Sequence, residues 1–288
     1  MEKYLKIINK STFEFISINK KQNNFIQIQT GIGDLLLASL CMKNNLFIKK
    51  KLLFNINIYV NNPLNLNNPF NDFTFKIQLI NKLFNNNEIY FCYLPKYDSI
   101  WNKQIKYIQD FDLIKNNLTL SIKNIKEPYI IFHTKCRFTG NFNYSILKNN
   151  LKNYFMKLKT GYKIYILGEK YMPTNTEANI HKITTIYEEL ILLKDNNNVV
   201  DLSKDNIYDN LNFNDFKKDL ELIRNAEYNI GVGHGGHYCN SIIFGTKTIF
   251  YQISCLVSVL NKDTLDKFDK LSIFDYNEFE RKIDNILT

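Results

Sequence analysis

The clearest candidate for chemistry is a glycine-rich turn, Gly233-His-Gly-Gly-His237, between two apolar segments. Residues 228–232 are typical of a short buried strand, and residues 238–244 can continue as a helix. Glycines let a backbone approach a ligand closely, and the N–H groups that open a helix attract anions. His234 and His237 can donate hydrogen bonds to phosphate or sugar oxygens. The turn therefore predicts a phosphate-bearing ligand; the alternative is a tight connection with exposed histidines.

A second turn of this kind, Gly31-Ile-Gly33-Asp34, follows the strand-like segment Phe25-Ile-Gln-Ile-Gln29 and precedes an apolar helix at 35–42. Asp34 would lie at the positive end of that helix dipole, which keeps its carboxylate ionised. It could then act as a base or orient a hydroxyl, with ordinary helix capping as the alternative. Ligands of open α/β sheets bind beyond the carboxyl ends of the strands, so the two turns would face one cleft.

Strands and helices alternate along the chain, which predicts an α/β protein with parallel, doubly wound sheets. The predicted strands are residues 13–18, 25–29, 54–60, 75–80, 88–93, 128–133, 162–168, 198–202, 228–232 and 246–252. The predicted helices are residues 35–42, 98–118, 144–159, 177–193, 215–226 (capped by Asn214) and 277–287. The irregular stretch 116–128 is the candidate linker, giving domains 1–122 and 123–288, and the last helix could pack back on the first domain.

Composition and the absence of membrane or export signals favour a cytoplasmic globular protein. The chain has 288 residues, 45% of them hydrophobic, without an apolar run of the ~20 residues that span a bilayer. Its first residues lack the pattern of a signal peptide. Five scattered cysteines without a Cys-x-x-Cys pair suit a reducing compartment. The net charge of +9 is spread along the chain, so nucleic acid is not favoured as a partner.

Other ligands are less well supported. Residues 231–236 fit Gly-x-Gly-x-x-Gly, but no acidic residue ends the next strand as an NAD site requires. Asp110-Phe-Asp112 fits a metal-binding pair, yet lies in a predicted helix where alternate side chains diverge. His234 and His237 lack a third metal ligand. No metal or cofactor is therefore expected.

Several segments resemble the heptosyltransferase-like glycosyltransferases of family 9. The first runs Phe25-Ile-Gln-Ile-Gln-Thr-Gly-Ile-Gly-Asp-Leu and is similar to their strand, Gly-x-Gly-Asp turn and apolar helix. Tyr129-Ile-Ile-Phe-His-Thr-Lys-Cys-Arg137 and Gly161-Tyr-Lys-Ile-Tyr-Ile-Leu-Gly168 resemble their next strands. Val199-Val-Asp-Leu-Ser203 and residues 230–245 resemble their donor segment. Each motif is short, and their order and spacing over residues 25–252 carry the resemblance.

The resemblance implies a GT-B fold, in which two Rossmann-like doubly wound domains face a central cleft. Asp34 would be the catalytic base, and Gly31 and Gly33 would form the acceptor-side loop. The donor-binding residues would be Lys135, Arg137, Gly168, Glu169, Gly233, His234, Gly235, Gly236, His237 and Asn240. The implied partners are a nucleotide-sugar donor and a glycan or glycolipid acceptor; a glycolipid would bring the basic protein to a membrane surface.

The late segment departs from family 9. That family has Asp-Thr-Gly followed by a histidine, with a proline in the next strand, whereas Gly-His-Gly-Gly-His and Lys247 stand here. His234-Gly-Gly-His-Tyr-Cys-Asn240 instead resembles the His-Gly-Ala-Gly segment of family 61 glycosyltransferases. Both resemblances imply the same two-domain fold. A GT-B-like protein that binds nucleotide or glycan without turnover remains the alternative function.

Overall fold

The computed structural model describes residues 2–9, 12–18, 25–29, 35, 39, 51–55, 74–84, 87–92, 127–137, 144–168, 170, 183–195, 198–204, 213–232, 244–251, 272–273 and 275–287. The chain divides into two compact units. The first is mainly Met1–Thr119, and the second takes most of the chain from Leu120 onward.

The first unit contains a five-stranded sheet and a helix, α1, and the described residues Leu35 and Ser39 of the predicted helix 35–42 are also helical. The strands are β1 (Glu2–Asn9), β2 (Thr12–Ile18), β3 (Phe25–Gln29), β4 (Lys51–Asn55) and β5 (Glu88–Cys92), and α1 spans Thr74–Leu83. Their order is β2-β1-β5-β4-β3. Strands β3, β4 and β5 are parallel, whereas β1 is antiparallel to both β2 and β5. The sheet is therefore mixed: the expectation of parallel strands is confirmed for β3, β4 and β5 and was wrong for β1 and β2.

Burial explains why β4 is central and why 75–80 is helical. Leu52, Leu53 and Phe54 are consecutive and fully buried, as expected for a strand covered on both faces. Residues 75–80 alternate like a strand, and the prediction of a strand there was wrong. Apolar side chains continue at Leu83 and Phe84, so the wider segment has helical spacing. The Phe84 ring contacts the Phe54 ring with centroids 5.3 Å apart.

The second unit contains a six-stranded sheet in which every strand is parallel to its neighbours. Its strands are β6 (Tyr129–His133), β8 (Lys163–Leu167), β10 (Val199–Asp201), β11 (Tyr228–Val232), β12 (Thr248–Tyr251) and β13 (Ser272–Ile273). The spatial order is β10-β8-β6-β11-β12-β13. Numbered along the chain, this is 3-2-1-4-5-6, the strand order of doubly wound dinucleotide-binding sheets. A short antiparallel pair, β7 (Lys135–Arg137) and β9 (Ile183–Thr185), accompanies the sheet.

Helices cover both faces of this sheet. They are α2 (Tyr144–Lys157), α3 (Tyr187–Leu190, continued by a 3₁₀ turn Ile191–Asp195), α4 (Phe213–Asn225) and α5 (Tyr276–Leu287). Leu151, Leu190 and Ile283 pack with the alternate strand residues Ile130 and Phe132 in one apolar core. Helix α4 lies on the opposite face, where the Tyr129 hydroxyl donates to the Leu222 carbonyl oxygen at 2.7 Å. The second unit is thus a three-layer α/β structure.

Most predicted elements that fall on described residues are confirmed, with two corrections in the second unit. The strands near 13–18, 25–29, 88–93, 128–133, 162–168, 198–202, 228–232 and 246–252 and the helices near 144–159, 215–226 and 277–287 are present. The helix over 177–193 was wrong, because β9 and Ile186 precede a helix of only four residues. Asn214 lies inside α4, which begins at Phe213, so it is not the cap. The predicted helix 98–118 lies outside the described residues.

Within the described residues, no helix combines the length and the apolar character needed to cross a lipid bilayer.

Candidate functional site

The strand order of the second sheet marks one position at its edge. The chain proceeds from β6 outward to β8 and β10, then crosses back to β11 on the other side of β6 and continues outward to β12. The order therefore reverses between β6 and β11, which pair from Tyr228 with Ile130 to Ile230 with Phe132. In open α/β sheets, the crevice beyond the carboxyl ends at such a point is where ligands bind. The segments that follow His133 and Val232 are accordingly the first candidates for a site.

The chain leaves β6 through Thr134, which is fully buried and tied to two neighbouring segments. Its backbone N–H donates to the Leu167 carbonyl oxygen at 2.8 Å, and its own carbonyl oxygen accepts from the Ile186 N–H at 2.9 Å. The side-chain hydroxyl has no hydrogen-bond partner among the described residues. Thr134 thus fixes the positions at which β8 and the segment before α3 meet the end of β6.

Gly168 follows β8 and lies directly against Thr134. Its φ of +117° is a conformation that side chains disfavour. A Cβ at this position would lie 2.3 Å from Thr134 Oγ1, far inside van der Waals contact. Both the backbone conformation and the close approach therefore require glycine here.

Beyond Gly168 the backbone pairs with the segment after β10. The Lys204 N–H donates to the Gly168 carbonyl oxygen at 2.9 Å, and the Lys170 N–H donates to the Lys204 carbonyl oxygen at 2.8 Å. The Thr185 hydroxyl in turn donates to the Lys170 carbonyl oxygen. The main chain on both sides of position 169 is therefore held by hydrogen bonds at the carboxyl edge of the sheet.

Asp201 is the centre of a polar cluster at the end of β10. Its carboxylate accepts hydrogen bonds from the backbone N–H and hydroxyl of Ser203 and from the Tyr187 hydroxyl at 2.9 Å. Burial alone would raise the pKa of Asp201, but these bonds and the charge of Lys170 hold the pKa below its usual value. Lys170 also lies 5.4 Å from the centroid of the Tyr187 ring. Asp201 is therefore a fixed anion that orders the segments around β8 and β10.

His133 ends β6 on the face that α4 covers. Its side chain is buried and hydrogen-bonds with Asn229 of β11. Burial lowers the pKa of His133 to about 3, despite the opposing effect of the Asn229 bond. His133 is consequently a neutral imidazole at neutral pH, and it joins the two strands that flank the reversal in strand order.

A buried ion pair crosses between α2 and α3 on the other face. The Lys148 ammonium lies 3.5 Å from the Glu189 carboxylate, and the Glu189 side chain is only 8% exposed. Burial raises the pKa of Glu189, and the positive charge of Lys148 partly offsets that effect. Removal of Lys148 would leave a buried charge without its partner, so this pair holds α3 in place beside Thr134.

The described part of the chain contains a few of the residues predicted for the site. Gly168 is brought against Thr134 at the sheet edge. The backbones of Lys135 and Arg137 lie in β7 and pair with Thr185 and Ile183 of β9. The remaining predicted residues, and the side chains of Lys135 and Arg137, lie outside the described residues; they are Gly31, Gly33, Asp34, Glu169, Gly233, His234, Gly235, Gly236, His237 and Asn240.

Sequence analysis missed the supporting residues Thr134, Tyr187 and Asp201. Thr134 and Asp201 come at the ends of predicted strands, and that position could have singled them out. Tyr187 carried no such signal, because it was assigned to a long helix. The buried Thr134, the oriented Asp201 carboxylate and the nearby Lys170 ammonium are thus positioned by segments that follow three neighbouring strands of the second sheet.

Within the described residues, no group of three or more histidine, cysteine, aspartate or glutamate side chains could hold a metal ion. A scan against protein-family models matches none of them, and no curated protein matches the sequence significantly.

Proposed function

We propose that the protein is a glycosyltransferase of the GT-B type, which moves a sugar from a nucleotide-sugar donor to a glycan or glycolipid acceptor. The observation that carries the proposal is the 3-2-1-4-5-6 order of the second sheet. Its reversal falls between β6, which leads into Lys135 and Arg137, and β11, which leads into Gly233–His237. The resemblance implies a donor-binding role for both segments, and the strands that lead into them are paired neighbours.

The donor would bind at this edge with its diphosphate between the two segments. The Gly233–His237 turn supplies backbone N–H groups and imidazoles, and Lys135 and Arg137 supply positive charge. Gly168, whose backbone is held against Thr134, would border the nucleoside together with Glu169. An acidic residue after the second strand of such a sheet is suited to bonding ribose hydroxyls.

Sugar transfer needs a base and a stabilised leaving group. Asp34 would take the proton from the acceptor hydroxyl while that oxygen forms a bond to the anomeric carbon of the donor. The bond from the anomeric carbon to the diphosphate breaks, and its electron pair leaves with the diphosphate. Lys135, Arg137 and the Gly233–His237 turn would stabilise that charge. The proposal requires no metal ion.

The first experiment is a thermal-shift screen with ADP, GDP, UDP, CDP, TDP and NAD, each with and without a divalent cation. A ligand that binds the native state raises the melting temperature by mass action. We expect one nucleoside diphosphate to do so without metal, which would identify the donor class. Stabilisation by NAD alone, or by no compound, would contradict the assignment of the Gly233–His237 turn.

Two substitutions then test the assigned roles. Arg137→Ala should weaken binding of the selected diphosphate by about tenfold or more, since it removes a charge-assisted bond. Lys159→Ala, which changes an exposed cation elsewhere in the unit, should leave binding unchanged. Asp34→Asn should retain diphosphate binding but abolish release of the diphosphate from the matching nucleotide sugar.

A non-catalytic protein that binds nucleotide or glycan is the second candidate, because the Gly-His-Gly-Gly-His segment departs from the family 9 pattern. It predicts diphosphate binding without turnover in the unsubstituted protein. The preferred function is that of a cytoplasmic enzyme, with peripheral membrane contact where the acceptor is a glycolipid.

A further inference from the structure

A polar cavity of about 300 Å³ lies between helices α2 and α5 of the second unit. The α2 wall is formed by side chains spaced three or four residues apart, which therefore share one helix face. The lining residues are Asn150, Asn153, Tyr154 and Lys157 from α2 and Tyr276, Asn277 and Glu280 from α5. None of the residues lining this interhelical cavity belongs to the candidate donor site.

The floor of the interhelical cavity is rigid and aromatic. The Tyr154 hydroxyl donates to Asp284 Oδ1 at 2.8 Å, which fixes the ring and leaves the hydroxyl oxygen able to accept. The Tyr276 ring packs edge-on against Tyr251, with centroids 5.6 Å apart, and against Phe279 at 6.2 Å. Side chains held in this way present fixed partners to a ligand, so little ordering is required on binding.

Hydrogen-bonding capacity in the cavity is only partly used. The Tyr276 hydroxyl is buried, and burial together with the neighbouring Glu280 carboxylate raises the pKa of this tyrosine, so the hydroxyl stays protonated. Asn153 and Asn277 are exposed, and each carboxamide offers two donors and an acceptor. Groups of this kind in one concave surface favour a ligand that can both donate and accept.

The charges on the walls balance. Lys157 contributes an ammonium from α2, and Glu280 contributes a carboxylate from α5. A strongly anionic or cationic ligand would meet one favourable and one unfavourable charge. A neutral ligand rich in hydroxyl groups can instead donate to Glu280 and accept from Lys157.

From these observations, we propose that the interhelical cavity binds one monosaccharide unit of a glycan. Its volume is near the lower limit of small-molecule sites, about 300–1,000 Å³, which suits one sugar ring better than a longer segment. Hydroxyls of the ring hydrogen-bond to the carboxamides and to the tyrosine oxygens. The site does not depend on sugar transfer, since a glycan-binding protein without turnover would use it equally.

The test is saturation-transfer NMR on the full chain with glucose, galactose, mannose and N-acetylglucosamine, and with serine as a zwitterionic probe. A saturating amount of the nucleoside diphosphate that binds the protein is included, or UDP if none does, so that the donor site is occupied where it exists. We expect saturation transfer to at least one sugar. Absence of transfer to every sugar, or transfer to serine alone, would overturn the proposal.

Variants locate the bound sugar. Asn153→Ala and Asn277→Ala each remove exposed carboxamides from opposite walls and should weaken sugar binding by about threefold to tenfold. Asn149→Ala, on α2 but outside the cavity, is the matched control and should bind as the unsubstituted protein does. Tyr276→Phe removes one hydroxyl and should weaken binding while the chain stays folded. Equal affinities in all four variants, or an equal loss in Asn149→Ala, would overturn the assignment.

Discussion

At the scale of single residues, the contact between Gly168 and Thr134 determines how closely the ends of β6 and β8 approach. A positive φ and a missing Cβ are both needed at Gly168, and each contributes separately. Two other glycines separate these contributions. Gly245 has a positive φ of +63°, but a Cβ added there would meet no other atom. Gly161 also has room for a Cβ, and its φ is not in the positive range.

Substitution of these three glycines by alanine should give a graded series. Gly161→Ala should change the free energy of unfolding by less than about 0.5 kcal/mol, and Gly245→Ala should lower it by about 1–2 kcal/mol through backbone strain. Gly168→Ala should cost more than Gly245→Ala, because the clash with Thr134 Oγ1 adds to the strain. Denaturant unfolding measures all three. Thr134→Ala should reduce the cost of Gly168→Ala; an unchanged cost would show that this contact is unimportant.

His133 should make stability depend on pH. The pKa of its buried imidazole is lowered to about 3, below its ordinary 6.5, so the unfolded chain binds the proton more readily. Stability from the neutral imidazole is therefore complete above pH 6.5. It falls as the pH is lowered from there toward 3, by up to about 1.4 kcal/mol per pH unit.

Denaturant unfolding between pH 5 and 8 tests this dependence. Below pH 6.5, the free energy of unfolding should depend less steeply on pH in His133→Gln than in the unsubstituted protein. The other histidines contribute equally to both proteins, so the difference belongs to position 133. Identical slopes in the two proteins would contradict a buried neutral imidazole at position 133.

At the scale of elements, sequence patterns predicted the second unit better than the first. Runs such as Tyr129–His133 are buried along their whole length, so a continuous apolar run identifies the strand directly. Over 75–80, by contrast, apolar and polar residues alternate as in a strand, yet the segment is helical. The helix ends beside Phe84, whose ring packs on Phe54 of β4. Within residues 177–193, the three-residue strand β9 could not be predicted from local sequence, because its pairing partner β7 lies far away in sequence.

The N-cap of α5 provides a test of how much one local hydrogen bond stabilises the protein. Asp275 Oδ1 accepts from the Glu278 N–H at 2.8 Å, and this N-cap arrangement satisfies a donor that the helix leaves open. Asp275→Ala should lower the free energy of unfolding by about 1 kcal/mol. Asp275→Asn keeps a capping oxygen and should therefore retain most of the free energy of unfolding that Asp275→Ala loses. Lys282→Ala on the exposed side of the same helix is the control, and an equal loss there would argue against capping.

At the scale of the whole molecule, the sequence predicted alternating elements but not their spatial order. The order follows from pairing between strands as distant as β6 and β11, and periodicity within one segment carries no information about such pairs. The glycine-rich turn was predicted from its composition, and Lys135 and Arg137 were predicted from the family resemblance. Thr134, Asp201 and His133 acquire their importance only through burial and neighbours from other segments.

The two compact units lead to a prediction about a fragment that begins at Leu120. Every strand of the six-stranded parallel sheet, and helices on both of its faces, come from the chain after this residue. The apolar core that joins α2, α3 and α5 to the sheet is likewise contained there. The fragment 120–288 should therefore fold by itself and unfold cooperatively, since a unit of this size can bury its own core.

The same fragment separates donor binding from transfer. If the donor site is built from the ends of β6, β8 and β11, the fragment should bind the selected nucleoside diphosphate within about tenfold of the full chain. It should release no diphosphate from the nucleotide sugar, because Asp34 is missing. Calorimetric titration measures the first quantity and an assay of diphosphate release the second. A folded fragment without affinity would show that residues before Leu120 contribute to the donor site; a fragment with full turnover would exclude Asp34 as the base.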